Sequence, residues 1–275
     1  MGRRVRVERD AMTLRVVTLT TDFGTHDPFV GLMKAQVLTR CPEARIVDLT
    51  HDVPPFRPAA AAFWMERVPL WCPPGTVHVA VVDPGVGTSR RLLVVEACGQ
   101  RFLAPDNGLL AGVIARGDAA VYEIGDEAST RFRLGPRSAT FHGRDVLAPL
   151  AGELAAGRAA PADLGPRVTP PSAGVSRPAA AGDDGASGAI VWIDRYGNAF
   201  TSLPGARVAG RPGAALEVTG RSIPVVRTYG DAPRGTAVAL VNSFGVLEVA
   251  VVQGSAAEAL GLSVGTPVRV VTGAG

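Results

Sequence analysis

Between Gly157 and Gly188 the sequence loses its periodicity. The stretch "PRVTPPSAGVSRPAAAGDDGASG" is made largely of Ala, Gly, Pro and Asp, with no apolar spacing of a helix or a strand. Such a segment supplies no continuous buried face, so residues 158–187 read as a linker. The chain on either side differs in kind. After a polar leader through about Met12, "RVVTLTTDFG" reads as a buried strand with a polar tip, and "DPFVGLMKAQVLTR" sets Phe29, Leu32, Met33 and Val37 near helical spacing. The strand "ARIVDLT" and the helix "RPAAAAFWMERV" follow, with Pro58 in the helix's first turn. Next come the strands "TVHVAVVD", "RLLVVEA" and "RFLAPDNG", a short helix near Leu109 to Ile114, and a helix from about Asp145 to Ala156. Strands alternating with helices predict an α/β domain, layered αβα, over residues 13–157. Past the linker, "AIVWIDRYGNAFTSL", "ALEVTG", "RSIPVVRTYG", "TAVALVNSFG" and "VLEVAVVQG" are short strands broken by Gly, Asn and Pro. They predict a smaller antiparallel, β-barrel-like domain over residues 188–275.

Composition removes several functions. A net charge of +3 over 275 residues, with scattered arginines and one short cluster in "MGRRVRVER", does not make a nucleic-acid groove. Cys41, Cys72 and Cys98 lie far apart and in no CxxC spacing, which fits small buried thiols in a reducing, cytoplasmic compartment. No apolar core follows the basic start as in a signal peptide, and no run approaches the roughly 18 apolar residues of a membrane helix. No HxH, HExxH or clustered Cys/His spacing appears, so no metal is expected. A metal phosphohydrolase would have to rest on Asp22, Asp27 and Asp83 alone.

Polar groups gather at strand tips, each with two readings. "TTDFGTHD" places Asp22 and Asp27 just past the first strand, where ligands sit in open α/β sheets. A carboxylate there suits the two hydroxyls of a ribose or a cationic amine; it equally suits an Asx-turn or a helix cap, as Asp27 before Pro28 would. "VVDPGVGTSRR" lacks the pattern of a phosphate loop, and no helix follows it. It reads as a rigid turn that fixes Asp83 and returns Arg90 toward it, as a structural ion pair or as part of a site. His142 in "TFHGRD" opens a helix at the kind of junction where active sites collect, whereas His51 and His78 read as structural and His26 as a loop residue. In the second domain "IDRYGN" gathers Asp194, Tyr196 and Asn198, either for an ammonium and an adenine or simply for a hairpin turn. Asn242, Ser243 and Glu248 in "VNSFGVLEV" carry the same ambiguity.

In this order, "TLTTDFG…DPFVGLMK", "VVDPGVGTSRR", "APDNGLL", "TFHGRDVLAPLA", "IDRYGN" and "NSFGVLEVAVVQGSAAEALGL" closely resemble the S-adenosylmethionine hydroxide adenosyltransferases, the adenosine-forming S-adenosylmethionine hydrolases related to bacterial fluorinases and chlorinases. The resemblance spans Leu14 to Thr272, apart from much of the linker. It implies hydrolysis of S-adenosyl-L-methionine to adenosine and L-methionine with no cofactor. It also implies a homotrimer whose sites lie where one subunit's N-terminal domain meets a neighbour's C-terminal domain. Asp83, Arg90 and His142 match the family's catalytic set, and Asp22 matches the carboxylate on the ribose hydroxyls. Phe56 stands where relatives put an aromatic against the sugar. Asp27, Asp194 and Ser243 match the methionine end and Tyr196 and Asn198 the adenine side, with Glu248 placed among the substrate-binding residues. Halogenating relatives carry tyrosine in place of Asp83 and lack the Asp–Arg–His set, so this chain resembles the hydrolase branch. The rival readings are a halide-using adenosyltransferase and a non-catalytic adenosine or S-adenosylmethionine binder.

Overall fold

The six residues of β1 (Val16–Thr21) are all buried, as a mostly β-branched strand between two parallel neighbours requires. A computed structural model describes residues 14–133, 135–169 and 186–272, and it divides into two compact units. In the first unit β1 leads to α1 (Phe29–Arg40) and β2 (Arg45–Thr50). The helix that follows, α2 (Pro58–Arg67), belongs to the second unit. The first unit resumes with β3 (Val77–Val81), β4 (Leu92–Ala97), β5 (Gln100–Pro105), α3 (Ala111–Ile114), β6 (Ala120–Glu123), α4 (Asp126–Phe132) and α5 (Ala148–Ala155).

The sheet runs β2-β1-β3-β5-β4-β6. β2, β1, β3 and β5 are parallel to one another, and β4 lies antiparallel to both β5 and β6. The register sets Val17 opposite Val77 and Leu19 opposite Val79, and these side chains pack against Val30, Met33 and Val37 of α1 and Leu150 and Leu154 of α5. The opposite face carries a buried polar chain. His78 Nε2 donates to Gln100 Oε1 at 2.5 Å, its Nδ1 accepts from the Thr18 hydroxyl at 2.7 Å, and the Gln100 amide donates to the carbonyls of Pro69 and Cys72 at 3.0 Å. His78 is thus a structural residue of the core. Desolvation holds its pKa down at about 4. His51 is also buried, against Thr21 at 2.9 Å, and His26 is exposed.

The second unit contains β7 (Ser187–Ile193), β8 (Ala199–Pro204), β9 (Ala214–Val218), β10 (Arg221–Pro224), β11 (Ala237–Val241), β12 (Val246–Val251), α6 (Ala256–Leu260) and β13 (Pro267–Thr272). Its strands pair antiparallel in the order β10-β9-β13-β7-β8-β12-β11. Beyond β10, Val225 bridges Ala239 of β11, and the Val226 N–H reaches the Ala239 carbonyl at 2.8 Å, so the barrel nearly closes. Ile190, Leu203, Leu216, Leu247, Val249 and Val268 fill its interior.

Two boundaries differ from the sequence reading. The Ala-rich helix predicted for the first domain packs in the second unit, because Phe63 and Trp64 find Trp192, Phe200 and Phe244 there, with ring centroids 5.0–6.3 Å apart. Residues 158–169, assigned to the linker, are held on the first unit by its backbone groups: the Gly125 N–H donates to Leu164, Glu123 to Pro166, and Val168 to Val121. The rest of that linker, through residue 185, lies outside the described residues. Among the described residues no helix is long and apolar enough to cross a membrane.

Candidate active site

The carboxyl ends of β1 and β3 adjoin through the Thr21–Val81 register, so Asp22 and Asp83 emerge side by side. Asp83 enters a tight turn in which the Val86 N–H donates back to its carbonyl and the Thr88 hydroxyl donates to Gly85. The exit of β3 is pinned from β5, where the Asn107 amide donates to the Val82 carbonyl at 2.8 Å. Gly87 has φ +82°, and a Cβ there would stand 2.7 Å from the Ala139 carbonyl oxygen, so the loop accepts no larger residue without moving. The turn swings Arg90 back, as expected. Its Nε donates to both Asp83 oxygens at 3.0 and 2.8 Å, and its Nη2 also binds Oδ2. Both side chains are nearly buried, 6% exposed for Asp83 and 10% for Arg90.

The same Nη2 reaches His142 Nδ1 at 2.8 Å. Since a guanidinium only donates, Nδ1 accepts. His142 arrives from the other side of the cleft, on the residue before a π-helical turn (Gly143–Leu147) that leads into α5. Such turns are often found at functional positions, where they redirect one side chain without ending the helix. Burial and the cations Arg137 and Arg90 hold the imidazole below its ordinary pKa, against the opposing pull of Asp83 and Asp145.

Asp22, Phe23, Phe29, Phe56, Asp83, Phe141 and His142 line a cavity of about 280 Å³. Arg90 is not among its lining residues; it meets the cavity through Asp83 and His142. Phe23, Phe29 and Phe141 pack edge to face, with centroids 5.5–5.8 Å apart. Burial raises the Asp22 carboxyl above its ordinary value, with the Asp83 charge adding to it and the Phe56 N–H, donated at 3.1 Å, opposing it. Phe56 adopts φ +62°, rare for a side-chain-bearing residue, and is 73% exposed. Asp27 does not line this cavity: it is exposed, and α1 begins without a side-chain cap.

A second concavity, of about 710 Å³, lies in the second unit, lined by Asp194, Tyr196, Asn198, Tyr229 and residues 251–254. Asp194 organises its own turn, its Oδ1 accepting from the Tyr196 and Asn198 N–H groups at 2.9 Å and its Oδ2 from the Asn198 amide at 3.1 Å. Tyr196 is 77% exposed. Glu248 is buried, and both its oxygens are engaged within the protein, by the Tyr229 hydroxyl at 2.6 Å and the Asn242 amide at 3.2 Å. Glu248 thus stands behind Tyr229 rather than on the concave surface; burial raises both its carboxyl and the Tyr229 hydroxyl. Ser243 is exposed and does not line the concavity.

The structure therefore gathers Asp22, Phe56, Asp83, Arg90 and His142 in the first unit, and Asp194, Tyr196 and Asn198 in the second. Asn107, Phe141, Arg137 and Tyr229 were missed as functional candidates. "APDNGLL" was the available signal for Asn107; nothing local marks Arg137. Among the described residues no three His, Cys, Asp or Glu side chains converge on one point.

Residues 17–165 match the model of the SAM hydroxide adenosyltransferase N-terminal domain and residues 188–269 that of the C-terminal domain. An (R)-S-adenosyl-L-methionine hydrolase from Thermus thermophilus is 43% identical over 93% of this chain and 99% of its own. A fluorinase from Actinopolyspora mzabensis is 29% identical over 95% of this chain and 98% of its own. The crystal structure of a conserved protein from Thermotoga maritima superposes with a TM-score of 0.82 at 31% identity, covering 93% of this chain and all of that one.

Proposed function

The chain belongs to the SAM hydroxide adenosyltransferase family, and on that premise we propose that it hydrolyses S-adenosyl-L-methionine to adenosine and L-methionine. The observation that carries this reading is the Asp83–Arg90–His142 chain, with Asp83 and His142 among the residues that line the cavity.

The sulfonium needs no acid to leave, because breaking the C5′–S bond returns the electron pair to sulfur and yields a neutral thioether. What the reaction lacks in water is a nucleophile held in line with C5′. Alignment alone supplies up to about 7–11 kcal/mol in favourable systems. A water hydrogen-bonded to Asp83 attacks C5′, its oxygen becomes the 5′-hydroxyl, and its proton passes to the Asp83 carboxylate and on to solvent. Arg90 spans the two acceptors, fixing their orientation and balancing the carboxylate's charge. Asp22 accepts the ribose hydroxyls and Phe56 covers the sugar, while Asp194 and the Tyr196–Asn198 turn take the amino-acid and base ends. Asp27 and Ser243 retain a role only through groups brought to them by substrate or by another subunit.

A halide is disfavoured by the carboxylate in the cavity wall, where an anion would meet Asp83 at short range. The reading also carries a homotrimer and a cytoplasmic location, the latter supported by three free cysteines. The deciding experiment incubates the purified protein with S-adenosyl-L-methionine in ¹⁸O-water containing chloride and fluoride. Adenosine labelled at the 5′-oxygen is expected, and a 5′-halo-adenosine, or binding without turnover, would overturn the reading.

A further inference from the structure

His142 is held from both sides. Arg90 Nη2 stands 2.8 Å from its Nδ1, and Arg137 Nε stands 3.3 Å from its Nε2. A guanidinium has donors only; a neutral imidazole has one accepting nitrogen and an imidazolium has none. A charged ring would turn two N–H groups toward two fixed cations. A neutral ring has one lone pair for the two arginines, at Nδ1 toward Arg90 or at Nε2 toward Arg137 according to its tautomer, whereas an imidazolium has none for either.

The remaining charges around the ring are Asp83 and Asp145, which favour the imidazolium, and both are engaged elsewhere. Asp83 is bound by Arg90, while Asp145 accepts from the Ser138 N–H at 2.7 Å and from Arg144 Nε at 2.6 Å. The ring is 5% exposed, so desolvation acts in the same direction as the two arginines.

Arg137 comes from the segment between α4 and the π-helical turn, and the mechanism above gives it no part. Its Nη1 lies 3.3 Å from Asp126 Oδ1, but that carboxylate is 98% exposed and is a weak tether. The segment keeps its shape by other means, through Ser138 N–H to Asp145 and the 3.1 Å contact between the Ser138 and Thr140 hydroxyls. Shortening Arg137 therefore leaves the loop anchored.

We infer that Arg137 is a positioning residue for the reaction: it closes on the His142 ring from the side opposite Arg90 and keeps that ring an uncharged acceptor at the cavity wall. Its kinetic consequence rests on the hydrolytic reading; the contact itself does not. The test compares Arg137→Gln and Arg137→Lys with the parent protein in two measurements. One is the pH titration of the His142 ring by NMR with labelled histidine, and the other is the pH profile of kcat/KM. In Arg137→Gln the ring should titrate at higher pH, because a neighbouring cation has gone. The acid limb of kcat/KM should move up with it, lowering activity on that limb about three- to tenfold. The plateau at higher pH should fall less, and Arg137→Lys should restore most of the limb. A His142 titration unmoved in Arg137→Gln overturns the inference. So does a uniform loss of kcat across pH with the limb in place, which is the mark of a purely structural residue. Absence of hydrolysis in the parent protein would instead remove the functional reading, and the NMR titration would still decide Arg137.

Discussion

Asp83 and Arg90 are partners that neither can lose cheaply, since each is nearly buried and the other is its main charge partner. Asp83→Ala leaves a guanidinium without its counterion, which commonly costs about 3–5 kcal/mol in a buried pair. Asp83→Asn is the cleaner probe because it keeps the shape and removes the charge. We expect turnover in Asp83→Asn to fall by about 10²–10⁴ while affinity for adenosine, measured by calorimetry, largely survives. Loss of affinity with turnover per bound substrate retained would make Asp83 a pocket-shaping residue instead. His78 gives a second prediction, on stability. Its folded-state pKa is about 4 against an ordinary 6.5, so over that window the unfolded chain binds a proton that the folded one refuses. The stabilisation is complete above the ordinary value and drains away as pH falls toward 4, by about 3 kcal/mol in all. His78→Asn should be weaker at neutral pH yet show a shallower loss of melting temperature across that window.

The turn after β3 is the element on which the site depends. Gly87→Ala puts a methyl group against the Ala139 carbonyl at a positive φ, and Ala139 lies three residues from His142. The substitution should lower kcat by at least about tenfold with a small loss of melting temperature, since it pushes apart the two loops that Arg90 joins. An unchanged kcat would show that the loops adjust freely. In α2 the buried Phe63 carries the contact with the barrel strands, and Phe63→Ala should cost about 3–5 kcal/mol of the second unit's stability. Trp64 and Trp192 touch in the same cluster and report the transition by fluorescence in a denaturant titration. Both elements were visible in the sequence: the turn from its Pro and Gly spacing, the helix from its alanines and aromatics. The allegiance of α2 was not, because amphipathic spacing says which face is buried and not what buries it. The same limit hid Arg137, whose contact with His142 depends on the fold of a loop with no periodicity of its own.

For the molecule as a whole, the proposed Asp83–Arg90–His142 set and its phenylalanine-lined cavity lie on one unit, and the concavity lined by Asp194, Tyr196, Asn198 and Tyr229 lies on the other. The proposed trimer predicts a solution mass near three times the chain's 28.4 kDa by light scattering, and a monomer retaining full turnover would remove the trimer from the reading. The alternation of apolar strands with helices, then of short strands with turns, determined by itself that there would be two units of different architecture. Periodicity encodes burial, and burial selects the layer. Asp83, Arg90 and His142 were legible as candidates, at a strand tip, in the turn that follows it and at a helix start, and only the family resemblance gave them a role. Tertiary structure alone decided that Arg90 spans the other two, that Glu248 is consumed by Tyr229 and Asn242, and that Asp27 and Ser243 remain outside the two concavities. Those outcomes turn on distances of a few ångströms between residues far apart in the chain. Hydrogen-bond partners are chosen at that scale, and local spacing does not record it.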